Sequence, residues 1–202
     1  SRLIWPAEIK RLVPAIDISS RPRYPIMAAL YHWPGGIIRH DAVVWGYARG
    51  ADRRGIAIHP FTEAIGIGTS DGQVISVQTT RGEIRTGTVV NATAGFCSTV
   101  AKLVRLKLPI VTHPLQAFVT EPLTPFLDKI IVSANLHVYV SQTDRGELVI
   151  GSEIDPYSSY SYRSTLPFLE ATAAHILELF PCLREVQVLR QWPGVCDMPP
   201  DN

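Results

Sequence analysis

Cysteine, charge and long apolar runs are all scarce in this 202-residue chain. Its three cysteines, Cys97, Cys182 and Cys196, are odd in number and far apart, with no Cys-x-x-Cys pair. That spacing suits neither a zinc site nor a disulfide framework, so no metal is expected and a reducing cytoplasm is the simplest compartment. Charged residues make up 18%, and 19 basic side chains nearly balance 18 acidic ones. A net charge of +1 leaves no basic footprint for nucleic acid and no funnel for acidic substrates. No apolar run reaches the roughly 18 residues of a membrane span, and no signal peptide opens the chain. Position 1 is Ser rather than Met, and Pro199-Pro200-Asp201-Asn202 reads as a cut loop. The expectation is a segment of a longer protein.

Hydrophobic residues, at 46%, are enough for a real core, either one large domain or parts of two. Residues 6–13 read as a short helix with Pro6 in its first turn. The proline-punctuated stretch through Pro34 reads mostly as loop. Asp41 to Arg54 reads as a helix ended by Gly55, with Val43, Gly46, Tyr47, Gly50 and Ala51 on one face. Two glycines on that face suggest close packing on a sheet. Ile56–His59 and Thr88–Ala92 read as strands on either side of a three-stranded meander, Glu63–Thr69, Gln73–Thr79 and Glu83–Thr86. Asp71-Gly72 is a strong hairpin turn, and Ile75, Val77 and Thr79 should share a face. A short helix follows at 97–104. Beyond Lys107, strands are expected at Leu115–Thr120, Asn135–Thr143, Glu147–Gly151 and Val186–Trp192. Ser164 is expected to cap a helix running to Phe180.

Three glycine-bearing stretches invite a ligand reading. Gly66–Gly72 looks like a nucleotide loop but fails on context, because its glycines lie in a hairpin rather than between a strand and a helix. Trp33-Pro34-Gly35-Gly36-Ile37-Ile38-Arg39-His40-Asp41 runs through a glycine turn and a basic residue to a histidine at a helix start. A helix N-terminus with a cation suits an anion such as phosphate, and the imidazole is a nucleophile at the same spot. Thr88-Val89-Val90-Asn91-Ala92-Thr93-Ala94-Gly95-Phe96-Cys97-Ser98 sets small residues and a glycine between a strand and a helix, so a ligand can approach the backbone.

That last segment resembles one in the FAD-dependent amino-acid and amine oxidases of the D-amino-acid oxidase type, where it also follows a meander. Thr62-Glu63-Ala64-Ile65-Gly66-Ile67 resembles the strand before it. Within the family the resemblance is strongest to the beta subunits of heterotetrameric sarcosine oxidases. Residues 35–52, 108–128, 136–161 and 190–201 carry it in order, over essentially the whole chain. The resemblance implies a noncovalent FAD near Ala64, Ala92, Thr93 and Gly95, and a substrate that is a secondary amino acid such as sarcosine. It also implies an FMN linked covalently to His40 with Arg39 beside it, electrons passing from FAD to FMN to oxygen, and partner subunits. The family's G-x-G-x-x-G unit and its later C-terminal section do not occur within these residues. The FAD site here is therefore expected to be incomplete and the chain inactive alone.

Two further residues are candidates for catalysis. His137 and Tyr139 lie two apart on an expected strand, so they should face one side, and the resemblance places that sheet over the flavin. His32, His113 and His175 read as structural. The expected class is α+β, part of a two-domain flavoprotein with a mixed sheet, flanking helices and the antiparallel meander. Residues 1–36 and 107–190 are assigned to a substrate domain and 37–106 to the middle of the FAD domain, with 191–202 returning toward it. Two rivals stand: a single-flavin glycine, proline or dimethylglycine oxidoreductase, and a non-catalytic subunit-interface module.

Overall fold

The computed structural model describes residues 1–201, which form two compact units. The first combines Ser1–Gly35 with Thr112–Met198; the second is Gly36–Val111 together with the residues from Pro199. In chain order the elements are β1 (Arg2–Ile4), α1 (Pro6–Leu12), β2 (Ala29–Tyr31), α2 (His40–Asp52), β3 (Ala64–Ser70), β4 (Gln73–Thr79), β5 (Gly82–Arg85) and α3 (Cys97–Lys102). They continue with β6 (Val111–Pro122), β7 (Ile131–Ser133), β8 (Val138–Gln142), β9 (Glu147–Ile154), α4 (Leu166–Leu179) and β10 (Val188–Met198). The α+β class is as the sequence reads.

The first unit is built on a five-stranded sheet ordered β10-β6-β9-β8-β7. The ladders β6–β9, β8–β9 and β7–β8 are antiparallel. Side chains alternate across each strand, so one face gathers Phe118, Val138, Val140, Leu148 and Ile150. These residues pack with Ile9 of α1, Val13, Ile16, and Phe168, Ile176 and Leu179 of α4 in one core. Phe118 and Phe168 meet edge to face, with ring centroids 6.3 Å apart. The core explains why α4 forms: its apolar stripe has a sheet to bury against. The helix cap differs from expectation. Thr165, not Ser164, is the N-cap, and its side chain accepts from the Phe168 amide at 3.4 Å. Ser164 Oγ is instead buried, without a hydrogen-bond partner among the described residues.

In the second unit the order β3-β4-β5 makes the expected meander. Asp71 and Gly72 both have positive φ, 50° and 78°, as a two-residue type I′ hairpin requires. Ile75, Val77 and Thr79 share one face of β4, and its buried residue lies on the other. Ser76 is buried while Ile75 is 51% exposed, because Ser76 lies under the Gln78 side chain and opposite Gly68. Helix α2 forms but buries no residue, and a Cβ placed on Gly46 would meet nothing within 4 Å. The close helix–sheet packing read from Gly46 and Gly50 is therefore absent among the described residues of this unit. Ile56–His59 and Thr88–Ala92 are not strands. An apolar run becomes a strand only by pairing its backbone, and neither run has a ladder among the described residues.

Candidate functional site

The face of the first unit's sheet that turns away from the core carries Val132, Tyr139, Ser141, Val149 and Gly151. Tyr139 and Gly151 are directly paired. A Cβ on Gly151 would sit 2.3 Å from both Cζ and the hydroxyl of Tyr139, so the ring lies flat over a glycine that leaves room for it. Half-burial pushes the Tyr139 phenol above its ordinary value.

His137 is not on the strand, which begins at Val138. It occupies a left-handed turn residue, φ +51°, an uncommon conformation for a residue with a β-carbon. Strand alternation therefore does not relate His137 to Tyr139. Glu153 Oε1 lies 3.7 Å from His137 Nδ1, at a bulge in β9 where Gly151 pairs with Ala117 and Ile154 with Leu115. Ser152 Oγ donates to the His137 carbonyl at 2.9 Å and fixes the turn. Sequence reasoning missed Glu153, because the β8–β9 register that pairs Val138 with Ser152 is a long-range fact.

A second cluster orders the segment after β9. Gln116, 1% exposed, donates through Nε2 to Asp155 Oδ2 at 2.8 Å and to Thr165 Oγ1 at 3.2 Å. Its Oε1 accepts from the Thr165 amide at 2.9 Å. One buried amide thus ties both ends of loop 155–165. The Tyr157 hydroxyl donates to the same Asp155 oxygen at 2.9 Å, and that bond raises its pKa. His113 Nδ1 lies 2.8 Å from the Asp155 carbonyl, in keeping with its structural reading. His32 contacts Ser1 Oγ at 2.9 Å.

The cofactor candidates fall in the second unit. His40 is the first residue of α2 and Arg39 its N-cap, both exposed, with no side-chain cap bond from Arg39. An exposed imidazole at an uncapped helix start is accessible to a bulky covalent partner, so this position fits a linked flavin sterically. Ala92 and Thr93 are exposed, and Gly95 is buried in the 3-10 turn that leads into α3. The turn is held by Thr93 Oγ1 donating to Asn91 Oδ1 at 2.7 Å and Asn91 Nδ2 donating to the Cys97 carbonyl at 2.9 Å. Ala94 at φ +44° keeps the backbone sharply bent there. An exposed, preorganised backbone of small residues fits a flat cofactor. Ala64 opens β3 and pairs with Thr79, not with this turn. No cluster of three or more His, Cys, Asp or Glu that could hold a metal occurs among the described residues. No helix among them is long and apolar enough to cross a membrane.

Comparison with known proteins sets these features in context. The chain is 44% identical over 202 residues to a sarcosine oxidase subunit beta of Rhizobium meliloti, covering all of this chain and 48% of that protein. It is 41% identical to the subunit beta of Rhodobacter capsulatus, covering all of this chain and 49% of that protein. The crystal structure of L-proline dehydrogenase from P. horikoshii superposes with a TM-score of 0.89 at 27% identity, covering 99% of this chain and 53% of that one. The chain spans about half the length of the curated relatives it matches. A family description of FAD dependent oxidoreductases matches residues 1–202 from end to end, and the chain belongs to that family.

Proposed function

We propose that the protein carrying this chain oxidatively demethylates sarcosine or a related secondary amino acid. The observation that carries this reading is the whole-chain similarity to two sarcosine oxidase beta subunits at 44% and 41% identity. When bound, FAD supplies the two-electron acceptor, while the protein binds and orients. The N-methyl carbon loses a hydride and the nitrogen a proton. Water then hydrolyses the resulting imine to the primary amine and formaldehyde.

The first unit acts as substrate domain and the second as the middle of the FAD domain. Ala64, Ala92, Thr93 and Gly95 approach the FAD. Tyr139 and His137 orient the substrate from the open sheet face, the half-buried ring by packing and the imidazole by hydrogen bonding. His40 holds a covalent FMN that relays electrons to oxygen, with Arg39 beside its phosphate at the helix start. The other subunits of a sarcosine oxidase are the partners, and the compartment is the cytoplasm, which suits three cysteines with no disulfide among them.

A second reading rests on the fold match to an L-proline dehydrogenase. It is a single-flavin oxidoreductase of another cyclic or secondary amino acid, with His40 unmodified. The test is turnover by the purified holoenzyme. Formaldehyde released from N-methylglycine supports demethylation. Oxidation of proline without formaldehyde supports the second reading, and no oxidation of any amino acid refutes both.

A further inference from the structure

We infer that the Trp45 face of α2 docks a different polypeptide, another subunit of the enzyme. The inference rests on the reading above, in which this chain belongs to one subunit of a sarcosine oxidase. Helix α2 runs from His40 to Asp52 and buries none of its residues. Its apolar side chains do not form a single stripe. Val43, Tyr47 and Gly50 lie together, whereas Trp45 lies about 140–160° around the helix from them. A helix laid on a sheet gives that sheet one face and turns the other outward.

Side-chain size decides which face goes to the same polypeptide. Gly46 and Gly50 are four residues apart, and a Cβ on Gly46 would meet nothing within 4 Å. Glycines let backbones approach closely, so the side with Val43, Tyr47 and Gly50 suits the protein's own sheet. The opposite side is unlike a solvated face. Trp45 is 64% exposed, and a shallow hollow beside it is bounded by Asp41, Ala42, Gly46 and Arg49. Asp41 and Arg49 stand one turn before and one turn after the indole.

A large aromatic at the centre, with charges of both signs around it, is the composition of an interface hot spot. The partner it fits presents an apolar side chain to the hollow, a cation to Asp41 and an anion to Arg49. The assembly supplies such a partner, since the relatives at 44% and 41% identity are beta subunits by name.

The experiment uses the intact holoenzyme. Trp45 is replaced by the photo-cross-linking amino acid benzoylphenylalanine, and the linked peptides are identified by mass spectrometry. The expected link joins position 45 to a different polypeptide. Trp45→Ala weakens subunit association at least about 30-fold, read by sedimentation on dilution, which is the loss of one hot-spot residue. Its noncovalent FAD content is unchanged. Hydroxyl-radical footprinting of the unsubstituted holoenzyme needs no variant and finds Trp45 protected. A link within the same polypeptide or to a second copy of it overturns the inference. So does a freely labelled Trp45, or association within about twofold of wild type in Trp45→Ala. A wild-type enzyme that consists of one kind of polypeptide overturns it together with the partner reading. A holoenzyme that docks a second polypeptide at Trp45 yet leaves N-methylglycine unoxidised overturns the demethylation reading alone.

Discussion

Replacing Gln116 with Leu tests whether one buried amide holds loop 155–165 closed. Leu approximates the volume of Gln, so packing is nearly conserved and the hydrogen bonds are what is lost. Three go: the bonds to Asp155 Oδ2, to Thr165 Oγ1 and from the Thr165 amide. A bond to a carboxylate is worth about 2 kcal/mol net and a neutral one about 1 kcal/mol. The sum is about 4 kcal/mol, and burying an aliphatic group in place of the amide offsets about 1 kcal/mol. A destabilisation of about 3 kcal/mol lowers a urea midpoint by about 1 M when the slope is about 3 kcal/mol per molar. The loss should be local as well as global. The Thr165 amide exchanges its hydrogen faster, and trypsin cuts sooner after Arg163, which lies inside the released loop. Tyr157→Phe, which removes one exposed bond to Asp155, is the control and shifts the midpoint by about a quarter as much. A midpoint shift below about 0.2 M in Gln116→Leu, with unchanged cleavage at Arg163, would refute the clamp.

Other expectations follow from the same geometry. Gly151→Ala forces the Tyr139 ring off the strand and costs about 1–3 kcal/mol, read by chemical denaturation, with a raised KM for the amine substrate. Tyr139→Phe alongside it separates the hydroxyl from the ring. In the intact protein, His40→Ala removes covalently bound flavin and leaves noncovalent FAD in place, read by precipitation with acid and by mass spectrometry of the peptide. The 202-residue chain alone retains no FAD through gel filtration, since no G-x-G-x-x-G occurs in it to seat the pyrophosphate. Glu8 is held below the usual carboxylate range, first by the hydrogen bond from Arg2. That pairing contributes above the unfolded carboxylate's titration and is lost as pH falls through the folded one. Arg2→Ala therefore flattens the acid limb of the stability profile.

Local signals were legible wherever the partner was close in sequence. The Asp71-Gly72 turn dictated the β3–β4 hairpin, because few residues other than Gly and Asp or Asn tolerate the two positive φ angles. The stripe containing Phe168 and Ile176 marked α4, and both bury as its spacing demands. The Ser164 cap failed by one residue, since Ser and Thr are both good caps and the fold, not the cap preference, decides between neighbours. Ile56–His59 and Thr88–Ala92 failed for a different reason. Apolar alternation is needed for a strand, but the ladder is supplied by other residues. At the site, Tyr139 was readable as an aromatic on a strand. Gly151 and Glu153 were not, because only the antiparallel register brings β9 against the turn at His137. His137 itself misled: its i, i+2 spacing to Tyr139 implied a shared strand face, and the left-handed turn broke the alternation.

The central claim is that this chain belongs to a flavin enzyme that takes electrons from a secondary amine. Anaerobic mixing of the purified holoenzyme with N-methylglycine tests it most directly, with the flavin's visible absorbance followed in time. The account predicts rapid bleaching of the bound flavin and return of its colour when oxygen is admitted. A holoenzyme whose flavin stays oxidised with N-methylglycine and with every other secondary amino acid would contradict it.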